Sequence, residues 1–175
     1  LFAALGWTIA LLLLHPDVKA RLFDDDGAFL ERCVLESIRL GQRSIMMRTV
    51  LEPCEVTDGT TTYHVERGVV IATMVPLTNT TAMPGLEGFD PDRWAGRRLR
   101  DEAELPAREL VTTFGHGSHR CPAQRFSLSA IGRAVRRLFD AYELEPGFDS
   151  VHPLPLQIGG VARAADPCPV TYRRR

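Results

Sequence analysis

The chain has no two cysteines close enough in sequence to clasp a metal. Its four, Cys33, Cys54, Cys121 and Cys168, are widely spaced and form no C-x-x-C pair, whereas a zinc site or a dithiol motif normally brings two together. Free thiols in a reducing compartment are expected, and with them a cytoplasmic protein. Net charge is also nearly absent. Lysine and arginine number 21 against 22 acidic residues, which leaves −1 and argues against nucleic acid or an anionic membrane surface as the main partner. No apolar run reaches the ~20 residues of a spanning helix. Residues 1–14 come nearest, but no basic residue precedes them, and His15-Pro16 ends the run because proline disfavours helix at the residue before it. A buried core helix is expected there, and no membrane span. Repeats and low-complexity segments are absent as well.

What is present fits a globular protein: 45% hydrophobic and 25% charged residues suit a soluble domain with a core, or a piece of a larger one. The opening on Leu1 inside a helical pattern, without an initiator methionine, predicts a fragment. A short helix is expected over residues 17–23, opened by Pro16 in its first turn. An acidic turn at 24–27 follows, with Asp26 able to cap the next helix. That helix, residues 28–40, carries Phe29, Leu30, Val34, Leu35 and Ile38 at helical spacing and ends at Gly41.

Between residues 44 and 74 the pattern turns to short strands at 45–51, 60–65 and 69–73, the last read as buried, with Glu66-Arg67-Gly68 as a hairpin turn. Residues 78–88 read as a loop, and 89–94 as a compact turn bearing Phe89, Pro91 and Trp94. Residues 95–108 read as a charged surface excursion. A long helix over 122–142 shows an apolar stripe through Ile131, Val135, Leu138 and Phe139, with Phe126 and Tyr142 at its ends. A proline-rich tail then ends in a strand at 169–172.

Two clusters carry chemistry. Glu36 and Arg39 stand three apart on one helix and face the same side. They read either as a surface ion pair worth under ~1 kcal/mol or, with Arg93 as a second guanidinium, as a carboxylate held by two forks that pins a helix to a loop. The second cluster runs from residue 114 to 123 as Phe-Gly-His-Gly-Ser-His-Arg-Cys-Pro-Ala. Helix N-terminal amides and nearby positive charge lower a thiol pKa, so a cysteine at a helix mouth is disposed to be a thiolate and a ligand for a soft or redox-active metal. Gly115 and Gly117 let the backbone approach a flat ligand closely. Pro122 suits a helix start. Phe114 can cover the sulfur, and His119 and Arg120 can meet an anionic group. A buried cysteine beside a glycine turn stays open as a reading. So does zinc on His116, His119 and Cys121, which needs a fourth ligand that no nearby residue supplies.

Glu36-Ser-Ile-Arg39, Pro91-Asp-Arg93-Trp94 and the Phe114 to Cys121 loop occur in the order and approximate spacing of the cytochrome P-450 family of haem-thiolate monooxygenases, and the chain resembles that family over its whole length. The E-x-x-R pair says little alone, while the glycine loop with its cysteine and the following helix is specific. The resemblance implies the C-terminal part of the family's fold, mainly α with small β-sheets, as one partial domain over residues 1–175.

It further implies that Cys121 is the axial ligand of iron in haem b, with Phe114, Gly117, His119 and Arg48 as cofactor-binding residues and His119 and Arg48 as propionate partners. Glu36, Arg39 and Arg93 match the family's buried triad, and Ile45, Met46 and Met47 would edge the substrate pocket. Oxygen and electrons from NAD(P)H would arrive through a ferredoxin or reductase, and one oxygen atom would enter an apolar substrate. Arg120, Arg133, Arg136 and Arg137 could face an acidic donor, or merely solvent. Ala123 stands where the family commonly has glycine. The family's distal acid and threonine fall at or before the first residue, Thr8 lies about two turns too far along to replace them, and the fragment alone is expected to be inactive. A missing N-terminus could carry a membrane anchor. The competing expectations are a truncated remnant without catalysis and a non-haem thiolate metal-binding protein.

Overall fold

Helix α1 (Phe2–Leu14) is apolar nearly all round, and a helix of that kind must be enclosed. Trp7 and Ala10 through Leu13 are accordingly buried. His15 leaves the helical conformation ahead of Pro16, and the chain bends by 104° into α2 (Pro16–Ala20) and the 3-10 turn Arg21–Phe23. The computed structural model describes residues 1–23, 27–96, 105, 107 and 109–175. The acidic turn at 24–26, with its expected cap Asp26, lies outside them. Helix α3 (Ala28–Gly41) starts from Gly27, whose φ of 108° needs no Cβ in the way.

The core is where α1, α3 and the long C-terminal helix α5 (Gln124–Ala141) meet. Leu12 and Leu13 of α1 join Leu30, Val34 and Ile38 of α3 and Ile131 and Val135 of α5 in one cluster. Each such side chain contributes about 1.5–3 kcal/mol by leaving water. The buried face of α5 is Leu128, Ile131, Val135 and Phe139. Phe126, expected on that stripe, is exposed, since five residues place it about 140° round the helix from Ile131. The helix also starts later than its proline suggests. Pro122 and Ala123 form a turn with no side-chain cap, and helical bonding begins with the Ser127 amide on the Ala123 carbonyl at 2.8 Å.

The β structure is three two-stranded antiparallel sheets. Strand β1 (Ile45–Thr49) pairs with β4 (Val70–Met74), and between them β2 (Cys54–Thr57) pairs with β3 (Thr62–Val65). Glu66-Arg67-Gly68 does form a turn, the Val69 amide reaching the Glu66 carbonyl at 3.3 Å, but β3 and β4 beside it do not pair. Val50 exchanges bonds with Gly68 and Val69 at 2.8 and 2.9 Å and draws the departing chain onto β1. The hairpin turn lies instead at 58–61, where Asp58 Oδ1 accepts from the Thr60 and Thr61 amides. Strand β4 is not buried as expected: Val70 and Met74 are exposed, because a two-stranded sheet here is covered on one face only.

Residues 78–81, read as loop, belong to α4 (Val75–Thr81), which Pro76 opens. Pro91–Trp94 is a 3-10 turn capped by Asp90. Within the expected charged excursion, residues 97–104, 106 and 108 lie outside the described residues. Leu105 is buried against Leu86 and Val111. Strand β5 (Tyr142–Pro146) runs straight on from α5 and pairs with β6 (Val170–Arg174), with Tyr142 and Tyr172 edge to face at 5.8 Å. The chain is thus mainly helical with small sheets, as its sequence led one to expect. Among the described residues no single helix is long and apolar enough to cross a membrane.

Candidate functional site

Glu36 and Arg39 sit one turn apart on α3, and neither side chain is exposed. Arg39 forks onto the carboxylate, Nε to Oε2 at 2.8 Å and Nη2 to Oε1 at 2.6 Å. Arg93 Nε adds 2.9 Å to Oε1, the Asp90 amide 3.1 Å to Oε1, and the Trp94 indole 2.9 Å to Oε2. Five donors satisfy a charge whose burial is otherwise costly. A surface pair is therefore ruled out. Trp94 and the Asp90 amide were not foreseen as partners, although a buried carboxylate has lone pairs to fill beyond two guanidiniums.

The remaining Arg39 donors carry the brace outward. Nη1 reaches the carbonyls of Asn79 and Leu86, the latter at 2.6 Å, and Nη2 that of Gly88 at 3.0 Å. Fully buried Asn79 then donates to the Arg39 and Thr112 carbonyls at 3.1 and 2.9 Å and accepts the Thr112 amide at 2.8 Å. Thr112 in turn holds the Gly115 amide at 2.9 Å through its hydroxyl. One polar chain thus runs from Glu36 to the glycine loop. Nothing in the sequence singled out Asn79.

The loop closes on itself where the Cys121 amide donates to the Phe114 carbonyl at 2.8 Å. Gly115 has φ of 77°, and Gly117 has 61° and opens the short 3-10 turn Gly117–His119. Half-buried Cys121 lies three residues before the first residue of α5. It lines a cavity of about 510 Å³ together with Phe114 and His119. Arg48 and the apolar Ile45, Met46 and Met47 of β1 line the same cavity. Among the described residues the Arg48 guanidinium donates to the Met47 carbonyl at 2.8 Å, and no acidic side chain there pairs with Arg48 or His119. Gly117 is elsewhere, on a second, open cleft of about 1090 Å³ with Arg120, and Arg120 is engaged by Gln124 at 2.8 Å. The sequence did not reveal two further parts of the wall: Ala4 of α1, and Gly160 with Val161 of the tail.

No family model matches the chain. Against curated proteins, it is 26% identical to the 24-hydroxycholesterol 7-alpha-hydroxylase of Homo sapiens, over 97% of this chain and 39% of that protein. It is 24% identical to the pentalenene oxygenase of Streptomyces avermitilis, over 87% and 36% of the two chains. It is also 27% identical to cytochrome P-450 710A3 of Arabidopsis thaliana, over 73% and 29%. The chain is similar to curated cytochrome P-450s at about 26% identity.

It spans about two fifths of the length of the first of these relatives, at 39%. Haem is the cofactor that this similarity implies, and the donor chemistry of the chain fits it. Among the described residues no three His, Cys, Asp or Glu side chains gather to hold a metal ion, so zinc on His116, His119 and Cys121 has no complete donor set here. A single cysteine on an open cavity suits a group that brings its other iron ligands with it.

Proposed function

We propose that this chain forms the thiolate-bearing part of a haem-thiolate monooxygenase that inserts one oxygen atom into an apolar organic substrate. The observation that carries the reading is Cys121 on a cavity to which β1 adds the apolar Ile45, Met46 and Met47 and the cationic Arg48. Cys121 would ligate haem b, with Phe114 beside the sulfur. Arg48 and His119 would take the propionates, since both present donors to the cavity with no acidic partner of their own. Bound haem supplies the dioxygen chemistry, which thiolate donation favours.

The protein's own part is positional. Glu36, Arg39 and Arg93 fix α3 to the 85–94 segment, and Asn79 and Thr112 extend that brace to the loop, so that Cys121 is held before any ligand arrives. Ile45, Met46 and Met47 would favour an apolar substrate. Electrons would come from NAD(P)H through a ferredoxin or reductase. A cytoplasmic location belongs to the same proposal and is supported by four unpaired cysteines.

The test is haem uptake by the 175-residue chain, read as the reduced, carbon-monoxide-bound difference spectrum. A thiolate-type Soret band that disappears in Cys121→Ser supports the reading. A folded chain that takes up no haem is a remnant without catalysis, and stoichiometric zinc on metal analysis would instead make it a non-haem metal protein.

A further inference from the structure

Trp7 of α1 is 155 residues from Ala162, yet its indole N–H donates to the Ala162 carbonyl at 2.7 Å in the protein interior. The Ala162 amide in turn donates to the Gly41 carbonyl at the end of α3, at 2.9 Å. A side chain at Gly41 would be tightly placed: a Cβ there would lie 3.0 Å from Val161 Cγ1 and 3.1 Å from the Trp7 ring, so these neighbours would have to yield. Val161 thus stands close to Gly41 and also borders the cavity that Cys121 lines. The neighbouring backbone is fastened to the same helix exit. Arg43 and Gly160 share a bond of 2.7 Å, Gly159 and Arg43 one of 2.9 Å, and the Gly160 amide reaches Ser44 Oγ at 3.1 Å.

These bonds fix the exposed part of the loop to the exit of α3. Leu156 and Ile158 before it are exposed, while Ala162 is buried and Val161 packs partly against the core, so burial anchors only the end of the segment. Its place as a cavity wall also depends on hydrogen bonds, of which the bond from the Trp7 indole is buried.

We propose that Trp7 and Gly41 are positioning residues that set, through Val161, how large a ligand the Cys121 cavity accepts. The claim about ligand size rests on the haem reading above, and the claim about the wall does not. Trp7→Phe keeps an aromatic ring but loses the donor, so the wall loosens. Gly41→Ala adds a methyl group against Val161 and Trp7, so the wall is driven inward. The two substitutions should shift ligand-size preference in opposite directions.

Two measurements on the full chain decide. The first is hydrogen exchange of the amides at 159–162 without added haem. Trp7→Phe should speed it about fivefold to tenfold, the loss expected for one buried hydrogen bond, while the Cys121 amide is unchanged. Unchanged exchange at 159–162 overturns the proposal. The second is spectral titration of the haem-loaded chain with imidazole and with 1-phenylimidazole. The affinity ratio of the larger to the smaller ligand should rise severalfold in Trp7→Phe and fall in Gly41→Ala, with the carbon-monoxide spectrum unaltered. A ratio that does not move overturns the size claim. A parent chain that takes up no haem overturns the haem reading and the size claim together, and the exchange result still decides on the wall.

Discussion

Arg39 presents its guanidinium to Glu36 as a fork, at 2.8 and 2.6 Å, with both side chains wholly withdrawn from water. Glu36→Gln keeps the shape but leaves Arg39 as a buried charge without its counter-ion. Breaking such a pair from one side costs about 3–5 kcal/mol. Urea unfolding of the full chain should show that loss in the midpoint. A variant within 1 kcal/mol of the parent, by the same scale, would mean that water reaches this cluster.

Asn79 has no charge, yet three buried backbone groups depend on it: the Arg39 and Thr112 carbonyls and the Thr112 amide. Asn79→Ala strands them and should destabilise the chain by about 3 kcal/mol. Because Thr112 also holds Gly115, haem content measured on the purified variant should fall along with stability.

Cys33 is fully buried in the core, and that burial pushes its thiol up to about 12. A thiol whose folded pKa is raised contributes stability that is complete below the unfolded value of about 8.5 and is lost as pH rises toward the folded value. The parent should therefore weaken in unfolding experiments above about pH 8.5, where the unfolded chain loses a proton that the folded one keeps. Cys33→Ala should flatten that slope. Alkylation of the native chain at pH 8 should modify exposed Cys54 and spare Cys33.

Asp92 takes a fork from Arg21 at 2.8 and 2.9 Å and a longer contact from Arg32 at 3.6 Å. The hydrogen bond from Arg21 holds its carboxyl below the usual carboxylate range. The stabilisation is present above the unfolded value, near 3.9, and is lost as pH falls through the depressed one. Half the Asp92 side chain is exposed, so solvent screening leaves the pair worth under ~1 kcal/mol. Asp92→Asn should lower the thermal midpoint slightly at pH 7, and the gap should close as the medium is acidified below pH ~4.

Sequence alone determined the helices α1, α3 and α5, because their apolar spacing and their breaks at Pro16 and Gly41 are local. It also paired Glu36 with Arg39 and set Cys121 in its glycine loop, because those motifs are local in sequence, whereas Arg93, 57 residues from Glu36, joined the pair through the family resemblance. Strand β5 could not be read, since nothing within Tyr142–Pro146 marks the point where helix gives way to a ladder with β6. The pairing of β1 with β4 across an intervening hairpin was hidden for the same reason: which strand accepts a free edge depends on residues brought from far along the chain.

Only the tertiary structure decided that Asn79 links the Glu36 brace to the loop, and that Trp7 and Gly41 hold Val161 against the cavity. An asparagine, a tryptophan and a glycine look ordinary where they stand in the chain. Their importance lies in what a buried donor or a missing Cβ meets, and that exists only after residues 7, 41 and 162 have been packed together.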